Sequence, residues 1–201
     1  MPRKSSLTCV PTAWHGRNAF LIGNESVQLV TLTGGGHIAE FRFTDASPFS
    51  HLNPLWVPPW KTFEPFNYRE KAHSRLYGSL LEGKLLSGIA GHNICLDYFG
   101  PPTLAEVRQG LSQHGEAPMS KWQKTERRAD RQKASLTLAT RLPGAGLAFS
   151  RNICLQRGAP VAYFTETVVN ERKKDHFFHW TQHVTLGPPF LCARDTVVAL
   201  P

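Results

Sequence analysis

Short stretches in which apolar and polar residues alternate recur along this chain, each closed by glycine, asparagine or proline. A two-residue period puts every second side chain on one face of a strand, whereas a helix repeats every 3.6 residues. Ala19–Ile22 leads through Gly23-Asn24 into Ser26–Thr33, and Gly34-Gly35-Gly36 permits a tight reversal into His37–Thr44. The pattern returns at Ala134–Arg141, turns at Pro143-Gly144, and continues through Leu147–Gln156. Gly158-Ala159-Pro160 then leads into Val161–Asn170. His176–Leu186, rich in aromatic and β-branched residues, also reads as a strand and stops at Gly187-Pro188-Pro189. Strands at this spacing predict an all-β protein, an antiparallel β-sandwich or a barrel.

Helical periodicity is nearly absent. Thr103-Leu104-Ala105-Glu106 has the form of a capping box and predicts a short helix to about Leu111. The segment from Ser47 to Tyr77 combines Pro48, Pro54, Pro58, Pro59 and Pro65 with Trp56, Trp60, Phe63, Phe66 and Tyr68. So many aromatic residues in a long connection predict an ordered excursion. No repeat or linker divides the chain, so one domain over residues 1–201 is expected.

A chain of 201 residues with 41% hydrophobic and 19% charged residues can bury a real core. The net charge of +8 brings nucleic acid into consideration. The positive charge sits in Lys121–Lys133 and Glu171–Asp175, both interrupted by acids, which read as solvated hairpin loops. No helix-turn-helix, zinc-finger or RNA-recognition signature accompanies them, so no specific nucleic-acid function is expected. Cys9, Cys95, Cys154 and Cys192 form no C-x-x-C and are expected to be reduced, buried thiols. The basic N-terminus lacks the apolar run of a secretory signal, and no apolar stretch approaches a membrane span. The expectation is a soluble cytoplasmic protein without a membrane partner.

No short motif carries a mechanism of its own. The stretch from Ile89 to Trp122 nevertheless has a distinctive layout. It contains Gly91-His92-Asn93-Ile94-Cys95-Leu96-Asp97-Tyr98-Phe99-Gly100-Pro101, then His114-Gly115-Glu116-Ala117-Pro118, then Trp122. Further on come Thr167-Val168-Val169-Asn170, a charged turn, and Thr181-Gln182-His183-Val184. This order resembles the galactose mutarotase-like superfamily, the aldose 1-epimerases and hexose-6-phosphate epimerases. Gly91, Cys95, Phe99, Gly100, Pro101, His114, Gly115 and Ala117 fall in register with its patterns, and the resemblance covers about residues 20–190.

The resemblance implies part of a mutarotase-like supersandwich and the interconversion of sugar anomers. That reaction removes a proton from the C1 hydroxyl and delivers one to the ring oxygen, so an acid and a base must flank the sugar. By resemblance, His183 is the acid at the ring oxygen and His114 positions and polarises the substrate. The family's base is a glutamate far down its longer chain, so the resemblance implies a domain incomplete at its C-terminus. Glu116, Asp97 and Asp195 are the acids nearest the motif positions. The family's phosphate-binding arginines correspond to Ile89 and Pro118, neither of which replaces a bidentate guanidinium. The expected ligand is therefore an unphosphorylated small-molecule sugar, unless Arg75 or Arg42 holds a phosphate.

His92 and Asn93 either face ligand hydroxyls or complete a turn. Trp56 and Trp60 either stack on a pyranose or anchor the excursion, and Trp122 reads as a core anchor. His183 and His114 are the catalytic candidates; His92, Asn93, Asp97, Glu116, Trp56 and Trp60 are the substrate-binding candidates. On a strand, His179 and His183 share one face and His176 points away, leaving at most two metal ligands, so neither a metal nor another cofactor is expected. A non-catalytic carbohydrate-binding or structural β-sandwich is the alternative of a different class. A cupin-like metal protein is a further one. The sequence fixes no oligomeric state.

Overall fold

The computed structural model describes residues 7–44, 48–197 and 199. Ser47, where the excursion was expected to begin, and the basic residues before Leu7 lie outside that set. In chain order the strands and helices are β1 (Thr8–Trp14), β2 (Arg17–Gly23), β3 (Val27–Leu32), β4 (Ile38–Phe43), α1 (Glu70–Tyr77) and α2 (Leu80–Leu86). They continue with β5 (His92–Asp97), α3 (Leu104–Arg108), β6 (Gln123–Ala129), β7 (Lys133–Leu142), β8 (Leu147–Gln156), β9 (Ala162–Asn170) and β10 (His179–Val184).

The strands form two sheets, β1-β2-β3-β4-β5-β10 and β6-β7-β8-β9, and their pairings are antiparallel. This is the expected all-β sandwich. Alternation decides which side chains meet between the layers. Leu136, Leu138 and Leu142 from β7, with Leu147, Phe149, Ile153 and Leu155 from β8, pack against Ile22, Leu29, Ile94 and Leu96. Each such side chain contributes roughly 1.5–3 kcal/mol by leaving water.

Turn chemistry fixes the register. Asn24 Oδ1 accepts from the Ser26 and Val27 amides, while its Nδ2 donates to the Gln156 and Ala159 carbonyls and latches this turn to the β8–β9 turn. Gly36 has φ +61°, and a Cβ there would stand 2.5 Å from the Trp122 ring. Trp122 is a core anchor, 1% exposed, with its indole N–H on the Ala117 carbonyl.

Several elements differ from the sequence expectation. Lys121–Lys133 is not simply a hairpin loop: Gln123–Ala129 is strand β6, every residue of it exposed. It lies at the edge of its sheet, where charged side chains discourage pairing with another chain. With neither face buried it shows no alternation. Strand β1 also went unmarked; its Pro11 lacks an amide hydrogen, which an edge strand tolerates. The excursion contains α1, which buries no residue, and α2 follows it. Tyr77 Oη donates to the Lys61 carbonyl, and the Phe63 ring packs on His73 and Tyr77. The capping box at Thr103 and Glu106 forms with both its hydrogen bonds, but α3 ends at Arg108. Cys9 and Cys95 are buried, Cys154 is partly buried, and Cys192 is exposed, contrary to the expectation of four buried thiols. Among the described residues no helix is long and apolar enough to cross a membrane, which says nothing of crossing by strands.

The excursion is tied to the outer face of the six-stranded sheet by buried polar groups. Arg17, 2% exposed, donates to the Gly88 carbonyl at 2.7 Å and the Gly34 carbonyl at 3.1 Å, with Glu64 Oε2 at 3.6 Å. His37 is fully buried: its Nδ1 accepts from the Ala90 amide, so its hydrogen lies on Nε2, which donates to the Pro118 carbonyl. Burial, with Arg17 nearby, holds the His37 pKa well below the usual histidine value.

Candidate functional site

Ile94 and Leu96 face the core, so the two-residue period turns Asn93, Cys95 and Asp97 outward. In the β5–β10 ladder Asn93 stands opposite His183, Cys95 opposite Thr181, and Asp97 opposite His179. Six side chains thus share one outer face. His114 reaches this row from the loop after α3. Gly115, with φ +71°, lies so close to β5 that a Cβ would fall onto the Leu96 carbonyl. The Ser112 hydroxyl and the Gly115 amide close the loop at 2.9 and 3.0 Å.

The result is a compact cluster. The His114 and His183 rings meet edge to face, with centroids 4.9 Å apart. Phe99 caps both, at 5.9 Å from His114 and 6.0 Å from His183. Cys95 Sγ lies 3.0 Å from His114 Nδ1 and 3.6 Å from Asn93 Oδ1. The Thr185 hydroxyl is 3.3 Å from His183 Nδ1. Burial, helped by His183, pushes the His114 pKa down to about 4, so its imidazole is neutral at physiological pH. Burial pushes the Cys95 thiol up to about 12, so it keeps its proton.

The structure therefore brings His114, His183 and Asn93 together. It directs the other candidates elsewhere. Asp97 shares the outer face but lies about 13 Å along the strand from Asn93, and its carboxylate accepts from His176 Nε2 at 2.7 Å. Glu116 turns to the β7–β8 connection and accepts from the Ala145 amide at 2.7 Å. Asp195 accepts from the Cys192 thiol at 3.2 Å. Trp56 and Trp60 pack edge to face at 5.5 Å; the Trp56 amide donates to the Thr185 carbonyl and the Trp60 indole to the Leu86 carbonyl. Ile89 and Pro118, at the places of the phosphate arginines, are buried. Arg42 pairs with Glu40. Arg75 lies in the last turn of α1.

His92 is on a strand, not in a turn, and faces between the sheets. Its Nε2 is 2.7 Å from Gln182 Oε1; Gln182 Nε2 donates to Glu166 Oε2 at 2.5 Å, and Arg151 Nε donates to Glu166 Oε1 at 2.6 Å. This relay crosses both sheets beside a cavity of about 610 Å³ lined by Ile38, Phe41, Phe164, Trp180 and Val184 among others. Burial and the Arg151 charge lower the His92 pKa to about 4. Sequence reasoning missed Arg151, although its signal is present: a charge at an inward position between Phe149 and Ile153. It missed the polar role of Cys95 as well, which the Asn93–Cys95 spacing on one strand face would have suggested. Among the described residues no group of three or more His, Cys, Asp or Glu side chains is placed to hold a metal ion.

No protein-family model and no curated protein matches the chain. Among solved structures it is similar to the candidate mutarotase YeaD from Salmonella typhimurium, at 13% identity and a TM-score of 0.47, over 76% of this chain and 46% of that one. It is also similar to HI1317, at 11% identity and a TM-score of 0.43, over 75% of this chain and 48% of that one. The chain spans about half the length of these solved structures.

Proposed function

We propose that the outer-face cluster of His114, His183 and Asn93 binds an unphosphorylated sugar, and that the chain belongs to an aldose 1-epimerase-type isomerase. The observation that carries this reading is the meeting of His114 and His183, 69 residues apart (183 − 114), at 4.9 Å between ring centroids. Both were marked as sugar-site residues by resemblance, from separate motifs. A neutral His114 serves as a hydrogen-bonding group toward hydroxyls, not as a cationic acid. His183, half-buried, is the group assigned to deliver a proton to the ring oxygen. The acceptor of the C1 hydroxyl proton is a carboxylate on the opposite side of the sugar. Asp97, Glu116 and Glu166 are each engaged elsewhere, so the reading assigns that role to none of them. We take the compartment to be the cytoplasm, where thiols stay reduced.

The same engagement of the carboxylates favours a second reading, carbohydrate binding without turnover. One experiment separates the two. Exchange between the anomers of glucose and galactose is followed by magnetisation-transfer NMR, and the melting temperature is measured with and without each sugar. Faster exchange than in buffer supports the isomerase. A raised melting temperature with background exchange selects the binding protein, because a ligand of the native state alone stabilises it. No effect in either measurement overturns both.

A further inference from the structure

The thiol of Cys95 contacts the candidate site from within the fold. Cys95 is 0% exposed, His114 8%, and the sulfur stands 3.0 Å from His114 Nδ1. Two neutral groups share this contact, and only one hydrogen can lie between them. Sulfur is a weak acceptor, whereas the lone pair of a neutral imidazole nitrogen is a strong one. The shorter contact of the thiol is with Nδ1, and its other acceptor, Asn93 Oδ1, is at 3.6 Å. The S–H therefore points at Nδ1.

We infer that Cys95 is a positioning residue: its thiol donates to His114 Nδ1 and fixes the ring as the tautomer with hydrogen on Nε2. The inference rests on the sugar reading of this site and deepens it. A neutral imidazole has one donor and one acceptor nitrogen, and the partner of the first decides what the second offers. Here the second offers a donor. Beneath the cluster Asn93, opposite His183 in the ladder, keeps its Nδ2 fully buried without a hydrogen-bond partner among the described residues. The Nε2 donor beside His183 makes the site a reader of ligand oxygen lone pairs. Such a site suits sugar hydroxyl and ring oxygens and disfavours ligands that present only N–H donors. His37 shows the same logic within the fold, where the Ala90 amide on Nδ1 leaves Nε2 as the donor.

The test uses the full chain with ¹⁵N-labelled histidine. The His114 ring is assigned by its loss in His114→Gln, its tautomer is read from two-bond proton–nitrogen correlations at neutral pH, and galactose is then titrated. The wild type is expected to carry its hydrogen on Nε2, Cys95→Ser to keep that tautomer through its hydroxyl, and Cys95→Ala to show mixed tautomers. Loss of one such orienting hydrogen bond corresponds to about tenfold weaker galactose binding in Cys95→Ala, restored in Cys95→Ser. A wild-type hydrogen on Nδ1 would overturn the inference, as would a Cys95→Ala protein with unchanged tautomer and affinity. If Cys95→Ala does not fold, the wild-type tautomer and Cys95→Ser still decide. The expected tautomers without binding of galactose or glucose would uphold the thiol's hold on the ring and overturn the sugar reading instead.

Discussion

Arg151 on β8 stands opposite Glu166 on β9, and its guanidinium Nε reaches the carboxylate at 2.6 Å from a position with no solvent exposure. Arg151 Nη1 also donates to the Gly36 carbonyl, so the charge is bound on two sides. Removing one partner leaves a buried charge uncompensated. Glu166→Ala is expected to cost about 3–5 kcal/mol in urea denaturation, and the double replacement Arg151→Met with Glu166→Leu clearly less.

Stability is expected to fall as the solution is acidified below the unfolded histidine pKa. His92 and His114 are held at about 4 in the fold, and His37 is held well below its usual value. The unfolded chain therefore binds more protons than the folded one between about pH 6.5 and 4, and stability rises with pH across that window. His92 and His114 each account for about 3 kcal/mol of the loss, complete only below pH 4. Denaturant midpoints measured from pH 7 to 4 check the slope, and His92→Gln is expected to flatten it.

Gly115→Ala places a methyl on the Leu96 carbonyl at a left-handed position. The expected destabilisation is about 1–3 kcal/mol, and a residue of this kind in a chain this long lowers the melting temperature by about 2–4 °C per kcal/mol. The His114 ring signals are expected to shift with it, because the loop cannot keep its approach to β5.

His183→Gln keeps a hydrogen-bonding side chain of similar reach but removes the imidazole. If the site interconverts anomers, exchange is expected to fall by about 10²–10⁴ while the melting temperature stays within about 2 °C, since His183 lies half-buried. Equal exchange in variant and wild type would exclude the acid role.

Where one face of a strand is buried and the other wet, the sequence spells out the strand. Strands β7 and β8 alternate buried and half-exposed residues almost without exception, and their limits could be read to within a residue. β6 escaped because all its residues are exposed, and β5 because His92–Leu96 are all buried. Helix α1 escaped for a related reason: the face it half-buries is made by His73, Ser74 and Tyr77, which carry no aliphatic repeat. At the candidate site, the motifs brought out His114, His183 and Asn93. Glu116 looked close to His114 by sequence, but a side chain two residues along a turn points where backbone geometry sends it. For Glu116 that is the amide of Ala145.

The two histidines of the cluster stand on unequal ground. The loop that carries His114 is pressed against β5 by Gly115, whereas His183 belongs to β10, which among the described residues is an edge strand of its sheet, paired in the ladder with β5 alone. Backbone amides of such a strand exchange with solvent through local fraying, at free energies well below that of global unfolding. The cluster thus joins a histidine on a loop clamped to the sheet with one on an edge strand, and edge strands are where local opening concentrates. A ligand that bridges both rings would register first as slowed amide exchange along Trp180–Val184.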